Sequence, residues 1–283
     1  MKLHPLLKRS AAVWNTRCRS IVVVLLLTGS GAAAAQEVEP FSHEMFDEVL
    51  TSFVDGAGRV DYRRLKAESG RLDVYVAALG KTSPLSHPGR FPTRADSLAY
   101  WINAYNAFVL NGVIDAYPVA SVKDIKYFSG FFNRTPFRSG GRMFTLNEIE
   151  HGILREHFRE PRIHAAINCA SAGCPRLLPF AFDPADLDAQ LDLAMTGFVG
   201  EGRNVRIDRG STTIYLSSIF DWFETDFTDW VKRVDEIDDP VITDYLFHYL
   251  EEDDVSYLRE HGDVRVKHLD YDWSLNDQMP ERP

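Results

Sequence analysis

Cysteine is scarce in this chain: three residues in 283, at positions 18, 169 and 174. Long apolar runs are also missing beyond residue 27. A membrane span needs about 20 apolar residues, so no later segment reads as transmembrane. Clusters of lysine and arginine are absent after residue 35. That argues against nucleic acid or anionic lipid as the main partner. The chain contains no P-loop, no G-x-G-x-x-G, no G-x-S-x-G and no H-E-x-x-H. It therefore carries no signature for a nucleotide, a serine elbow or a catalytic zinc, and no cofactor is expected. Internal repeats and low-complexity tracts are absent too.

What is present begins with an export signal. Lys2, Lys8, Arg9, Arg17 and Arg19 form a basic head, residues 21–27 an apolar stretch, and Ala33-Ala34-Ala35 a small-residue cleavage site. This is the pattern of a secretory signal peptide over residues 1–35, cleaved near Ala35, and it predicts a periplasmic or secreted protein with no membrane attachment after cleavage. Cys18 leaves with that segment. Losing five basic and no acidic side chains takes the formal charge from −10 to −15.

The remaining length suits a single domain with a real core. Residues 36–92 read as an N-terminal helical segment, two helices around Asp55-Gly56-Ala57-Gly58 and then a loop rich in Gly, Ser and Pro. The main α+β domain spans residues 93–276. Its strongest element is a helix over 94–116, apolar around most of its circumference and ended by Tyr117-Pro118. Thr145-x-x-Glu148 is a capping box opening a helix to about residue 158. Residues 162–168 read as a buried strand, residues 184–199 as a helix, and 205–208 with 212–216 as a hairpin. Short helices follow, then a strand over 264–272. N-terminal helices packed on a small sheet with interleaved helices describe the class.

Candidate chemistry concentrates in residues 164–175. As a strand, His164 and Asn168 would share one face, and Cys169 would sit where the strand ends in the small-residue turn Cys169-Ala170-Ser171-Ala172-Gly173-Cys174-Pro175. Three readings stand side by side. Cys169 and Cys174 form a structural disulfide in an oxidising compartment. Alternatively, Cys169 is a nucleophile whose pKa a base such as His164 lowers. Or the pair does thiol–disulfide chemistry, with four intervening residues rather than the two of thioredoxin-like sites. Two thiols and a histidine resemble part of a zinc site, but no fourth ligand is evident and no metal is expected.

Three further constellations accompany it. Asn103 and Asn106 lie i, i+3 on the apolar helix beside Trp101, either tying down loops or lining a polar pocket. Glu150 and His151 follow the capping box, Glu150 as a candidate orienting acid and His151 as a solvated or pocket residue. Tyr271-Asp272-Trp273-Ser274-Leu275-Asn276 is an aromatic clamp in which Asp272 is an alternative acid.

Four segments, Tyr100-Trp101-Ile102-Asn103-Ala104-Tyr105-Asn106-Ala107, Ile149-Glu150-His151-Gly152-Ile153-Leu154-Arg155, Arg162-Ile163-His164 through Asn168-Cys169 to Cys174-Pro175, and Tyr271-Asp272-Trp273-Ser274-Leu275-Asn276, together resemble the domain-of-unknown-function 547 family over about residues 95–276. The resemblance implies a relation to papain- and transglutaminase-like cysteine folds, in which the nucleophile opens a core helix. Here Asn103 and Asn106 occupy the core helix where that cysteine would stand. Two outcomes remain: a rearranged site using Cys169, or a binding domain that never had the nucleophile.

The first expectation is an exported cysteine-dependent hydrolase or acyl transferase acting on an amide or thioester. Cys169 is its nucleophile, His164 its base and Glu150 the orienting acid. Asn103, Asn106 or backbone N–H groups of the turn stabilise an oxyanion. The alternatives are a non-catalytic ligand-binding domain with a Cys169–Cys174 bridge, its pocket shaped by Asn168 and neighbours, and a thiol–disulfide redox protein. In each case the partner is an unidentified small molecule or peptide.

Overall fold

A computed structural model describes residues 39–126 and 130–278, which lie in one compact unit. The export signal read over residues 1–35 lies outside the described residues. The architecture is mixed α+β. Helices α2 (Tyr62–Ala67) and α3 (Gly70–Lys81) pack on α4 (Arg94–Ala116), and α1 (Glu44–Phe53) packs on α2 and α3. The turn at 55–58 opens an extra short helix, α2, whose first turn is capped by Asp61 accepting from the Arg64 amide.

Helix α4 organises the first half. Thr93 and Asp96 cap its start reciprocally, which satisfies two of the orphan N–H groups of the first turn. Its side chains are buried on nearly every face from Leu98 to Ile114, because helices and loops surround it. Gly112 is needed for this packing. A Cβ there would lie 2.5 Å from the Phe131 ring on α5 (Gly130–Arg134). A hairpin of β1 (Phe137–Ser139) and β2 (Arg142–Phe144) covers another side, pairing Phe137 with Phe144.

The Thr145–Glu148 capping box forms as the sequence predicts and opens α6 (Leu146–Ile149), which widens into a π-helix over Glu150–Phe158. Residues 162–168 are not a strand. Pro161 begins a turn in which the amides of Ile163, His164 and Ala165 bond to carbonyls three residues back, giving the helical turn α7 (Ile163–Ala166) before an extended Ile167. No strand pairs with it, and a short apolar run serves a turn as well as a ladder.

The second half packs α8 (Leu187–Val199) and four later helices against a sheet. Strands β3 (Val205–Asp208) and β4 (Thr213–Ser217) form the expected antiparallel hairpin, Val205 opposite Leu216. The chain then passes through α9 (Ser218–Trp222), α10 (Glu224–Val234), α11 (Ile242–Leu246) and α12 (Glu252–Glu260). It returns as β5 (Arg265–Leu269), parallel to β4. Met195, Phe198, Leu216, Phe220, Phe227 and Tyr245 form the core on this side.

The C-terminal tail ties the two halves together. Its backbone bonds to three separate segments, through Val60 to Asn276, Leu275 to Ala120, and Ala172 to Ser274. Gly173 N–H also meets the Asp272 carbonyl at 2.8 Å. A Cβ at Gly173 would sit 2.9 Å from the Asp272 amide, so only glycine permits this approach.

Candidate functional site

The turn after α7 is held rigid from several sides. Asn168 is buried, and its Oδ1 accepts from the Ala170 amide at 2.8 Å while its Nδ2 donates to the Pro175 carbonyl at 2.7 Å. Asn276 from the tail donates to the same Oδ1 at 3.3 Å. Arg203 reaches the Ala172 and Cys174 carbonyls from outside. The result brings Cys169 and Cys174 together, Cα to Cα 6.2 Å, with their sulfurs at bonding distance as a disulfide. That Cα separation lies in the range a bridge spans without moving the backbone. Cys174 is buried and Cys169 half-buried. The Tyr271 hydroxyl lies 3.1 Å from both sulfurs.

Asn103 and Asn106 are fully buried clamps. Asn103 exchanges two hydrogen bonds with the Phe182 backbone, 2.8 Å and 2.9 Å. Asn106 donates to the Ala166 carbonyl and accepts from the Asn168 amide. Both amides are occupied by backbone, so neither is brought to the cysteines as an oxyanion donor. Their work is to pin residues 166–168 and 182 to α4. Trp101 packs edge-on against Tyr100 and Phe144 in the core, away from any cavity.

His164 is buried on α7, with its ring stacked on Phe223 at 4.0 Å. Its orienting acid is not Glu150 but Asp226, whose Oδ2 lies 2.7 Å from His164 Nε2. Asp226 stands in the first turn of α10, where the helix dipole favours a carboxylate. Arg155 holds the same carboxylate through Nε at 2.6 Å and Nη2 at 2.9 Å. Its Nη1 donates to His151 Nδ1 at 2.6 Å. Burial works against the Asp226 charge, but the His164 and Arg155 bonds outweigh it and keep the carboxyl well below its usual range. Burial lowers the His164 pKa more than Asp226 raises it, so the ring is neutral. A carboxylate only accepts, hence Nε2 carries the proton and Nδ1 keeps a lone pair. Among the described residues Nδ1 has no hydrogen-bond partner. His151 is half-buried, its pKa lowered by burial and by the Arg155 charge.

Glu150 sits at the start of the π-helix, where Tyr105 of α4 donates to its Oε2 at 3.2 Å. Burial pushes its pKa up to about 7, against the pull of the Tyr105 bond and the Arg155 charge. Asp272 stays apart from this group. It is exposed, and its carboxylate accepts from the Ser274 amide and hydroxyl.

Glu150, His164, Cys169 and Cys174 line one cavity of about 240 Å³. Tyr105, Phe223, Trp222, Tyr271 and Trp273 supply much of its remaining wall, with Trp222 47% exposed at its edge. Tyr271 packs against both tryptophans, 4.9 Å from Trp222 and 4.5 Å from Trp273 between ring centroids. Asn103, Asn106, Trp101, His151, Asn168 and Asp272 do not line it. Bridged sulfurs are not metal ligands, which leaves Glu150 and His164 as the wall's metal-binding types, two short of a tetrahedral set.

Sequence reasoning missed Asp226, Tyr105 and Tyr271 as site residues. Asp226 comes from a helix 62 positions beyond His164, and nothing local marks that pairing. Tyr105 shares the apolar helix with a dozen core residues and carries no separate signal.

No curated protein and no solved structure matches the chain. The segment from 90 to 199 contains α4, Glu150, His164 and both cavity cysteines. It matches the family model described as Protein of unknown function, DUF547, the family that the sequence resembles.

Proposed function

We propose that this chain is an exported ligand-binding domain whose site is the cavity between α4, α7, α9 and the C-terminal tail. One observation carries the reading. The Cys169–Cys174 bridge closes the wall of an aromatic-lined cavity while buried amides fix its backbone. Concave sites with mostly apolar walls and a few placed polar groups are the usual form of small-molecule sites. With both sulfurs bridged, neither is a nucleophile. The test is thiol counting on the unreduced protein: no reactive thiol at 169 or 174 supports the reading, and two reactive thiols sink it.

A second reading follows from His164. Its ring is oriented by Asp226 at 2.7 Å and keeps an unpartnered Nδ1, the arrangement of a base held by a third group. If the bridge is open in the working protein, Cys169 becomes a candidate nucleophile of a hydrolase or acyl transferase, with His164 as base and Asp226 in the role expected of Glu150. Amide or thioester hydrolysis that appears only after mild reductant, and disappears in Cys169→Ser, would select this reading over the first.

A further inference from the structure

The cavity has a marked chemical bias. Among the described residues its wall contains one carboxyl, Glu150, and no lysine or arginine. His164 beside it is neutral. Glu150 is half-buried on this wall, and its Oε2 accepts from Tyr105. Two cations that stand on wall aromatics are engaged. Arg155 spends three nitrogens on Asp226 and His151, with its guanidinium 4.9 Å from the Phe223 centroid. Lys123 lies 3.9 Å from the centroid of the Trp273 ring. Trp222 and Tyr271 carry no cation among the described residues and lie 4.9 Å apart.

A carboxylate at an apolar wall, without a cation of its own, is costly to ionise unless the ligand brings the opposite charge. Aromatic faces favour a cation over an anion at the same place. Resting on the binding reading above, we propose that the cavity takes a small ligand with one ammonium group on an aromatic or apolar body. The ammonium pairs with Glu150, and the body lies along Trp222 and Tyr271. The groups that act on Glu150 are Tyr105 from α4, Arg155 on its own helix, Asp226 from α10 and Tyr271 from the tail. Among these only Arg155 is cationic, and it is shared with Asp226.

The proposal fixes the sign of a pH dependence. An ammonium selects ionised Glu150, so its affinity rises as pH climbs through about 7. A ligand that instead accepts a hydrogen bond from protonated Glu150 binds more weakly over the same range.

The experiment compares 2-phenylethylamine with its neutral analogue 2-phenylethanol on the unreduced full chain. Binding is followed by tryptophan fluorescence, since Trp222 and Trp273 line the cavity, and by calorimetry. The amine is expected to bind about tenfold more tightly than the alcohol near pH 8, and to lose several-fold near pH 6. Glu150→Gln is expected to remove that preference and its pH dependence. Equal affinity for amine and alcohol, or an amine affinity that falls with rising pH, overturns the cation assignment but leaves the cavity as a binding site. Both comparisons use the wild-type chain alone, so they decide even if the variant folds poorly. If neither molecule changes the fluorescence or gives heat, the cavity reading fails with it.

Discussion

Two sets of polar side chains meet at α4, where Asn106 bonds Ala166 and its neighbour Tyr105 bonds Glu150, and they are built on different rules. On α4, Asn103 and Asn106 are neutral amides with a donor and an acceptor each bonded to backbone. At the cavity, Glu150 and His164 are ionisable and each keeps one atom unpartnered among the described residues. The first set uses its hydrogen bonds to hold the fold. The second keeps bonding capacity on residues that line the cavity, which a purely structural group has no reason to retain. Burial separates them only in part, since His164 is as buried as the amides while Glu150 is half-buried. What separates them is whether the bonding capacity is used up within the protein.

The largest effect is expected where the bonds are complete. Asn106→Ala would strip the Ala166 carbonyl and the Asn168 amide of their partners inside the core. Each unsatisfied buried group costs about 1–3 kcal/mol, so the pair implies a loss of about 2–5 kcal/mol in a denaturant titration. A loss below about 1 kcal/mol would show that water reaches these groups and would remove the contrast.

Next in size comes the group that supports the cavity from behind. Asp226→Ala leaves Arg155 and His164 without their shared carboxylate, in surroundings three-quarters buried for both Arg155 and Asp226. A loss of about 2–4 kcal/mol is expected near neutral pH. The His164 contribution to stability should also be lost as pH falls through about 6.5, read in Glu150→Gln so that the opposite titration of Glu150 does not mask it. Unfolded His164 takes a proton there, while the folded ring stays neutral because its pKa is lowered. Paired Asp226, held below its ordinary range, adds to the loss further into acid. Urea titrations of Glu150→Gln between about pH 7 and 3 check the slope, which should shrink on adding Asp226→Ala only in its acidic part.

The sequence carried the framework further than the site. Helix α4 is legible because its cap and its apolar circumference repeat over 23 residues. The β3–β4 hairpin is legible from its turn, and the 164–175 segment does form a cavity wall. The strand expected around His164 fails because its apolar run is too short to fix a period. Glu150 is expected as the acid of His164 on a separate ground, its place beside the apolar stripe of the capped helix. The true partner lies 62 positions away, and Tyr105 meets Glu150 across 45. Such pairings are set by how α10 and α4 pack against α7 and the π-helix, and no local spacing encodes that. The bonds of Asn103 and Asn106 show the same limit, since a buried amide announces that a partner exists but not which one.

The smallest effect is the most direct probe of the contrast, because its sign is unusual. Glu150→Gln keeps the shape and the acceptor for Tyr105 but removes the charge. The folded pKa of Glu150 stands near 7, above the ordinary value of 4.5, so the folded chain holds a proton that the unfolded chain has released between those values. Stability is therefore lost as pH rises from about 4.5 to 7 and stays lower above it. The variant escapes that loss. It should match wild type near pH 4 and exceed it by about 1–2 kcal/mol near pH 8, read from thermal or urea midpoints. An Asn103 or Asn106 substitution gains at no pH, because those amides hold no charge to relieve. A residue whose removal stabilises the empty protein while weakening an ammonium ligand is one retained for binding, at the expense of the fold. If Glu150→Gln destabilises at pH 8, then Glu150 belongs with the clamps of α4 and the distinction between the two sets falls.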